Sequence, residues 1–325
     1  MTVRAAVTGL VIFLLSVPVV QSQNGWGVTY SQTEVCALEG STVELSCTYT
    51  YPSSGYDRVT ESFWFTKTQN KEPVDVRTDS QYTGRVTYSC EGKRCTLRIT
   101  NVEKRDSATY KFRFITNQDG GRFTGYPGVI LSVTDLQVQG TSSRSKLELK
   151  CLSPCPLPHH VSYVWYKNGH KISAEESSYS DSYVDADSYS CALKGYEDFP
   201  SPLYCYYDSY CNKVKYTHRT ICASRGSSVD ISCSYRSYES ISSKFWFRSE
   251  RRQSRQYDLW PKDLREDSQY VNRVQVTDNE SGDTTLRISE LRESDSAVYR
   301  FTFTAGSSGW GTSLPGTTLT VTVKL

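Results

Sequence analysis

Methionine is almost missing from this 325-residue chain, occurring once, at position 1. Histidine is scarce too: His159, His160, His170 and His218 are the only four, and none has the spacing of a metal site. An excess of either charge sign is also lacking, since 37 Lys and Arg stand against 35 Asp and Glu. A net charge of +2 excludes nucleic acid as the main partner, because phosphate binding calls for a clear basic surplus. Beyond residue 20 no apolar run approaches the ~20 residues that a membrane-crossing helix needs. Nucleophile elbows, P-loops and dinucleotide fingerprints are absent. No enzyme, cofactor or metal site is expected.

What the chain does have is cysteine, 11 residues of it, and 24 tyrosines. That cysteine content places the protein in an oxidising compartment, where disulfides reinforce modest cores. An odd count leaves at least one thiol free or bonded to another chain. The first residues agree with the compartment. Arg4 precedes an apolar stretch over residues 5–20, and Val20-Gln21-Ser22 offers a cleavage site, so residues 1–22 read as a signal peptide. Removing 22 from 325 residues leaves 303, or three units of about 100, an ordinary domain size.

An internal repeat supports that division. Cys36-Ala-Leu-Glu-Gly-Ser-Thr-Val-Glu-Leu-Ser-Cys47 aligns with Cys222-Ala-Ser-Arg-Gly-Ser-Ser-Val-Asp-Ile-Ser-Cys233. Phe63-Trp64-Phe65 aligns with Phe245-Trp246-Phe247, and Asp106-Ser-Ala-Thr-Tyr110 with Asp295-Ser-Ala-Val-Tyr299. Apolar and polar residues alternate around these motifs, as in Val43-Glu-Leu-Ser-Cys47. Period two with frequent turn signals predicts antiparallel strands packed as sandwiches.

Both repeats resemble V-type immunoglobulin domains. The resemblance places Cys47 and Cys233 on strand B, Trp64 and Trp246 on strand C, and Tyr110 and Tyr299 at the tyrosine corner of strand F. It also implies ion pairs Arg85–Asp106 and Arg273–Asp295. The middle segment, with Cys151, Trp165 and Asp187-Ser-Tyr189-Ser-Cys191, resembles a shorter C2-like domain. The expected fold is all-β: tandem immunoglobulin-like sandwiches over residues 23–136 (V), 137–205 (C2-like) and 206–325 (V).

The two V-like repeats depart from the common pattern at one place. Two residues after the corner tyrosine, where strand F usually carries a cysteine, stand Phe112 and Phe301. The first repeat instead has Cys95 on strand E, and Cys47–Cys95 would bridge neighbouring strands of one sheet. This substitution resembles the Siglecs, the sialic-acid-binding immunoglobulin-type lectins, in the style of sialoadhesin and of fish receptors related to the B-cell Siglec. The resemblance implies a sialic-acid site in the first domain. Arg113, one residue after the lost cysteine, would grip the sugar carboxylate. Lys111 shares its face by strand alternation. Trp26 would cover the acetamido methyl, and Phe123 or Tyr126 the glycerol chain. A planar guanidinium suits this task because it offers a carboxylate two parallel hydrogen bonds. The same features admit a plainer reading, in which Arg113 is an exposed strand arginine and the aromatics pack locally.

The resemblance further implies the disulfides Cys36–Cys155, between the first two domains, and Cys151–Cys191. A local Cys90–Cys95 bridge is an alternative that would free Cys47, and Cys205 and Cys211 are close enough to bond each other. In the third domain Thr302, Asn212 and Thr284 replace Arg113, Trp26 and Cys95, so no sialic-acid binding by this mode is expected there. Arg251-Arg252-Gln-Ser-Arg255 reads as a solvated hairpin. Asn279-Glu-Ser281 is the single N-glycosylation sequon. The expected partners are sialylated glycoproteins or glycolipids on cell surfaces, or a second immunoglobulin-domain protein. The expected location is the secretory pathway and the extracellular space. Cys222 and Cys233 have no obvious partners, and the sequence stops at Leu325. Both facts suggest a shortened form of a longer membrane receptor, or a secreted form bonded between chains.

Overall fold

A computed structural model of the chain describes residues 25–52, 55–143, 146–158, 160–182, 187–207, 210–249, 261–306, 308–311 and 315–323. The signal-peptide reading of residues 1–22, His159 and the 251–255 basic run lie outside the described residues. The chain is all-β, and among the described residues the strands are organised in six sheets. It divides into two compact units. Among the described residues, one comprises residues 25–35, Thr42–Thr100 and Ser107–Ser132; the other comprises Cys36–Ser41, Asn101–Asp106 and those from Val133 onward.

The first two sheets follow from alternation. Strands β1 (Gly27–Tyr30), β3 (Val43–Thr50), β6 (Val86–Glu91) and β7 (Arg94–Ile99) form one sheet, ordered β1-β3-β7-β6. The other contains β2 (Glu34–Leu38), β4 (Val59–Gln69), β5 (Glu72–Asp75), β8 (Ala108–Thr116) and β10 (Val129–Thr134). Its order is β2-β10-β8-β4-β5, with β9 (Arg122–Thr124) paired to β8. In β3 the residues Val43, Leu45, Cys47 and Tyr49 are buried and their neighbours are not, the pattern of a strand with one wet face. In β8 the buried set is Tyr110, Phe112, Phe114 and Thr116.

Phe112 occupies the space that a cysteine bridge would cross. Its ring meets Trp64 edge-on at 5.5 Å and stacks on Tyr49 at 5.8 Å. Its backbone N–H donates to the Tyr30 hydroxyl at 3.0 Å. Burial raises the Tyr30 pKa strongly, so the phenol stays protonated. Gly125 is required beside it, since an added Cβ would lie 2.4 Å from the Tyr30 hydroxyl. Tyr30→Phe leaves a buried N–H without its acceptor. The expected loss is about 1–3 kcal/mol, read as a lower denaturation midpoint at unchanged slope.

The middle segment has β11 (Gln137–Ser143), β12 (Lys146–Leu152) and β15 (Ser178–Ser182) in one sheet, ordered β11-β12-β15. The facing sheet holds β13 (Tyr163–Lys167), β14 (His170–Ile172), β16 (Ser188–Leu193) and β17 (Tyr204–Cys205), ordered β14-β13-β16-β17. Leu147, Leu149 and Cys151 of one sheet pack with Trp165, Tyr189 and Cys191 of the other, and a Cys151–Cys191 disulfide joins them. Cys36–Cys155 and Cys205–Cys211 are also bonded.

The last segment repeats the first. One sheet is β18 (Lys213–Tyr216), β20 (Val229–Arg236), β23 (Asp283–Ile288) and β22 (Val274–Asp278), in that order. The other is β19 (Thr220–Ser224), β26 (Thr317–Thr322), β24 (Ala297–Ala305) and β21 (Ile241–Ser249), with β25 (Ser308–Trp310) beside β24. The Phe301 N–H donates to the Tyr216 hydroxyl at 2.7 Å, matching Phe112 and Tyr30. The Tyr299 hydroxyl donates to the Asp295 carbonyl at 2.8 Å, closing the tyrosine corner. Arg273 and Asp295 form an ion pair with side chains only 6% and 3% exposed. In the first repeat Arg85 donates to the Gln81 carbonyl at 2.8 Å, as Arg273 does to that of Gln269 at 3.2 Å.

One expected bond is corrected. Cys95 is joined to Cys90, and Cys47 is a free, buried thiol. Cys95 lies opposite Cys47 on one side and Cys90 on the other, so strand parity alone allowed either partner. The Cys90–Cys95 pair is the closer type of antiparallel pair, with 4.1 Å between Cα atoms. Cys233 is likewise free and buried, and Cys222 is free and exposed. Burial raises the thiol pKa of both Cys47 and Cys233, keeping them protonated.

Candidate functional site

Strand β8 carries the candidate site on its outward face. Phe112 and Phe114 point into the sandwich, so Lys111 and Arg113 project the other way. Across β4, Arg113 lies opposite Phe63 and Lys111 opposite Phe65, two phenylalanines in ring contact at 6.3 Å. Directly opposed residues share a face, so the apolar stems of both cations run beside these rings.

Arg113 is held rather than loose: its side chain is 17% exposed. On β9 it faces Thr124, whose hydroxyl accepts a hydrogen bond from Nη1 at 3.3 Å. Glu72 approaches Nη2 at 3.9 Å, an ion pair too long for a hydrogen bond, and its own side chain is 71% exposed. A guanidinium has five donors in a fixed fork, so this setting leaves Arg113 capacity for an incoming carboxylate. Lys111 places its ammonium 5.1 Å from the Tyr126 ring centroid, and Tyr126 is 81% exposed. Arg113, Lys111, Thr124, Tyr126 and Glu72 therefore share one surface of unit one.

Trp26 and Phe123 are placed differently. Phe123 lies opposite Phe114 in the β8–β9 ladder, which turns it toward the interior side. Trp26, just ahead of β1, stacks on Phe114 at 5.6 Å and on Phe123 at 6.5 Å. These rings, with Tyr51 at 6.0 Å from Trp26, close the end of the core, and the indole stays half-buried. The third segment has the same cap: Trp310 lies opposite Phe303 and stacks on it at 5.4 Å.

The third segment also shows what replaces the cation. Thr302 lies opposite Phe245, as Arg113 lies opposite Phe63, and it is buried with its hydroxyl donating to the Trp310 carbonyl at 2.8 Å. Thr284 takes the place of Cys95 and accepts from the Trp246 indole at 3.1 Å. With cysteine there, the Trp64 indole N–H is buried without a hydrogen-bond partner.

Two residues of the surface escaped the sequence. Glu72 arrives through a two-residue hairpin whose central Asn70 and Lys71 have φ of 50° and 70°, the left-handed pair that such a turn needs. Thr124 is set beside Arg113 by the β8–β9 register. The Thr68–Glu72 stretch carried a hairpin signal; the register of a three-residue strand carried none. Asn279 sits exposed between β22 and β23, its amide bonded to the Asp283 carboxylate at 2.9 Å. Among the described residues no group of three or more His, Cys, Asp or Glu is arranged to hold a metal, and no helix is long and apolar enough to cross a membrane.

Comparison with known proteins agrees with this architecture. Residues 37–135 match the family model of the first Ig-like domain of B-cell receptor CD22-like proteins. Residues 216–322 match the immunoglobulin V-set domain. The mouse (Mus musculus) protein butyrophilin subfamily 1 member A1 is 29% identical over 156 residues, 44% of this chain. The chain spans 29% of that relative's length. The chain is thus built of immunoglobulin-type domains, the first of them CD22-like.

Proposed function

We propose that this protein is an immune-type receptor ectodomain whose first domain binds terminal sialic acid. The observation that carries the reading is Arg113: a partly buried guanidinium on the outward face of β8, held by a hydroxyl and only loosely approached by a carboxylate. In this reading Arg113 takes the sugar carboxylate in a bidentate pair. Lys111 adds positive charge, and the exposed Tyr126 ring offers a flat apolar surface to the glycerol chain. Trp26 and Phe123 brace the strand ends from the core side, and the half-buried indole edge is available to an acetamido methyl. So open a site desolvates its ion pair incompletely, and a single glycan should bind with a Kd of about 0.1–1 mM, near −4 to −5.5 kcal/mol. Adhesion then depends on many copies engaging together. The role proposed is cell adhesion or immune-cell recognition, at the cell surface or as a secreted form.

The test is binding of a multivalent form of the chain to red cells before and after sialidase. Loss of binding on sialidase treatment supports the reading, and unchanged binding removes it. Glu72 supplies a finer check, because it is a carboxylate competing for Arg113. Glu72→Gln should tighten sialoside binding by roughly 1.5–5-fold, the worth of one exposed ion pair, in a direct titration.

A second reading has its own support. Ile130, opposite Thr109 of β8, is 48% exposed, and with Tyr126 it gives unit one some uncovered apolar area. Such a surface suits contact with another immunoglobulin-domain protein. Binding to a protein partner that survives both sialidase and Arg113→Ala would favour it.

A further inference from the structure

Three cysteines of the first sheet stand in one row across adjacent strands. Cys47 on β3 lies opposite Cys95 on β7, which lies opposite Cys90 on β6. Cys47 and Cys95 are each 1% exposed, whereas Cys90 is exposed at the sheet edge. Cys90 and Cys95 are bonded and Cys47 is a free thiol.

The ladder gives the distance of the unbonded pair. Tyr49 donates its N–H to the Lys93 carbonyl at 3.0 Å, and pairs in an antiparallel ladder alternate in type. Counting two residues along, Cys47 and Cys95 form a hydrogen-bonded pair, with Cα atoms roughly 5.5 Å apart. That separation lies at the centre of the disulfide range. Cys95 therefore has two partners within bonding reach. They flank it on opposite sides, so a sulfur attacking from Cys47 meets Cys95 from the side opposite the departing Cys90.

We propose that Cys47, Cys95 and Cys90 form a thiol–disulfide exchange relay that can present Cys90 as a surface thiol. The Cys47 thiol loses its proton and the thiolate attacks the Cys95 sulfur. A Cys47–Cys95 bond forms, the Cys95–Cys90 bond breaks, and Cys90 leaves as a thiolate that takes up a proton. One thiol and one disulfide are present before and after, so no oxidant or reductant is consumed. Burial of Cys47 makes its thiolate scarce and the exchange slow at rest. The released Cys90, at the rim of the β6–β7 hairpin, is then open to a second thiol or disulfide. The third segment carries the same buried thiol without the relay: Cys233 lies opposite Thr284, which lies opposite Asp278. Cysteine at 95 also leaves the Trp64 indole unpartnered, whereas Thr284 accepts from Trp246. Position 95 thus carries cysteine at a cost to the core around it.

The whole chain, expressed under oxidising conditions, would be incubated at pH 7.5, 8.5 and 9.5 without added reductant or oxidant, then quenched in acid and alkylated. Peptic peptides made under non-reducing conditions would be quantified by mass spectrometry. The Cys90–Cys95 peptide should give way one for one to Cys47–Cys95, about 10-fold faster per pH unit while the thiolate is the minor form. Cys90 should become alkylated in step, and Cys233 should enter no bond. Cys47→Val should retain Cys90–Cys95 at every pH. Cys90→Ser should yield Cys47–Cys95 in a chain that still melts cooperatively. A single pairing of either kind that does not interconvert overturns the relay, and so does a folded Cys90→Ser chain with Cys47 and Cys95 both free.

Discussion

Arg113→Ala should abolish measurable binding of single sialosides and reduce multivalent red-cell binding to the level left by sialidase. A charge-assisted hydrogen bond is worth about 1.5–3 kcal/mol, so losing even one of the fork's two costs roughly 10–150-fold. From a starting Kd of about 0.1–1 mM, that places the variant beyond ordinary titration. Arg113→Lys separates charge from geometry. An ammonium keeps the attraction but not the two parallel donors, so it should recover only a small part of the loss. Both variants should melt close to the parent, because the guanidinium lies on the outward face and makes one side-chain hydrogen bond, to Thr124. A variant that melts normally and still binds cells in a sialidase-sensitive way would remove Arg113 from the site.

Arg273→Ala should produce the largest stability loss. Arg273 is 7% exposed and donates to both oxygens of Asp295 and to the Ser289 and Gln269 carbonyls. Removing it strands a buried carboxylate, a change that costs about 3–5 kcal/mol. Domain stabilities are only about 5–15 kcal/mol, so the third segment should melt of order 10 °C lower or more. Arg287–Asp230 is the control, since its side chains are 51% and 53% exposed across 3.1 Å. Arg287→Ala should change stability by less than about 1 kcal/mol. Calorimetry of the whole chain would distinguish the two, with the first-domain transition unmoved in both. Equal effects would show that burial of the Arg273 pair contributes nothing special.

The two repeats make the limits of sequence reasoning concrete. Alternation in Val43–Thr50 and around Tyr110 marked strands, and the buried face in each case is the one that period two predicts. The same parity puts Lys111 and Arg113 on the outward face. Parity fails for Trp26, which precedes the first strand and turns onto Phe114. It fails also for Phe123, whose direction depends on the ladder partner that the turn after β8 selects.

The amino-acid sequence by itself determined the all-β immunoglobulin-type architecture, the repeat, and the face on which the candidate arginine stands. These are properties of local period and of a few large buried side chains, and they survive any lateral arrangement of strands. Tertiary structure alone decided the rest: which neighbour Cys95 bonds, which way the end-capping aromatics turn, and which carboxylate approaches Arg113. The turn of the aromatics and the approach of Glu72 depend on lateral register, which the turns and the whole packed core fix together. Register puts both Cys47 and Cys90 opposite Cys95, and the 4.1 Å pair with Cys90 is the bonded one. A strand's own sequence says which face a cysteine occupies, but a central strand has two neighbours on that face.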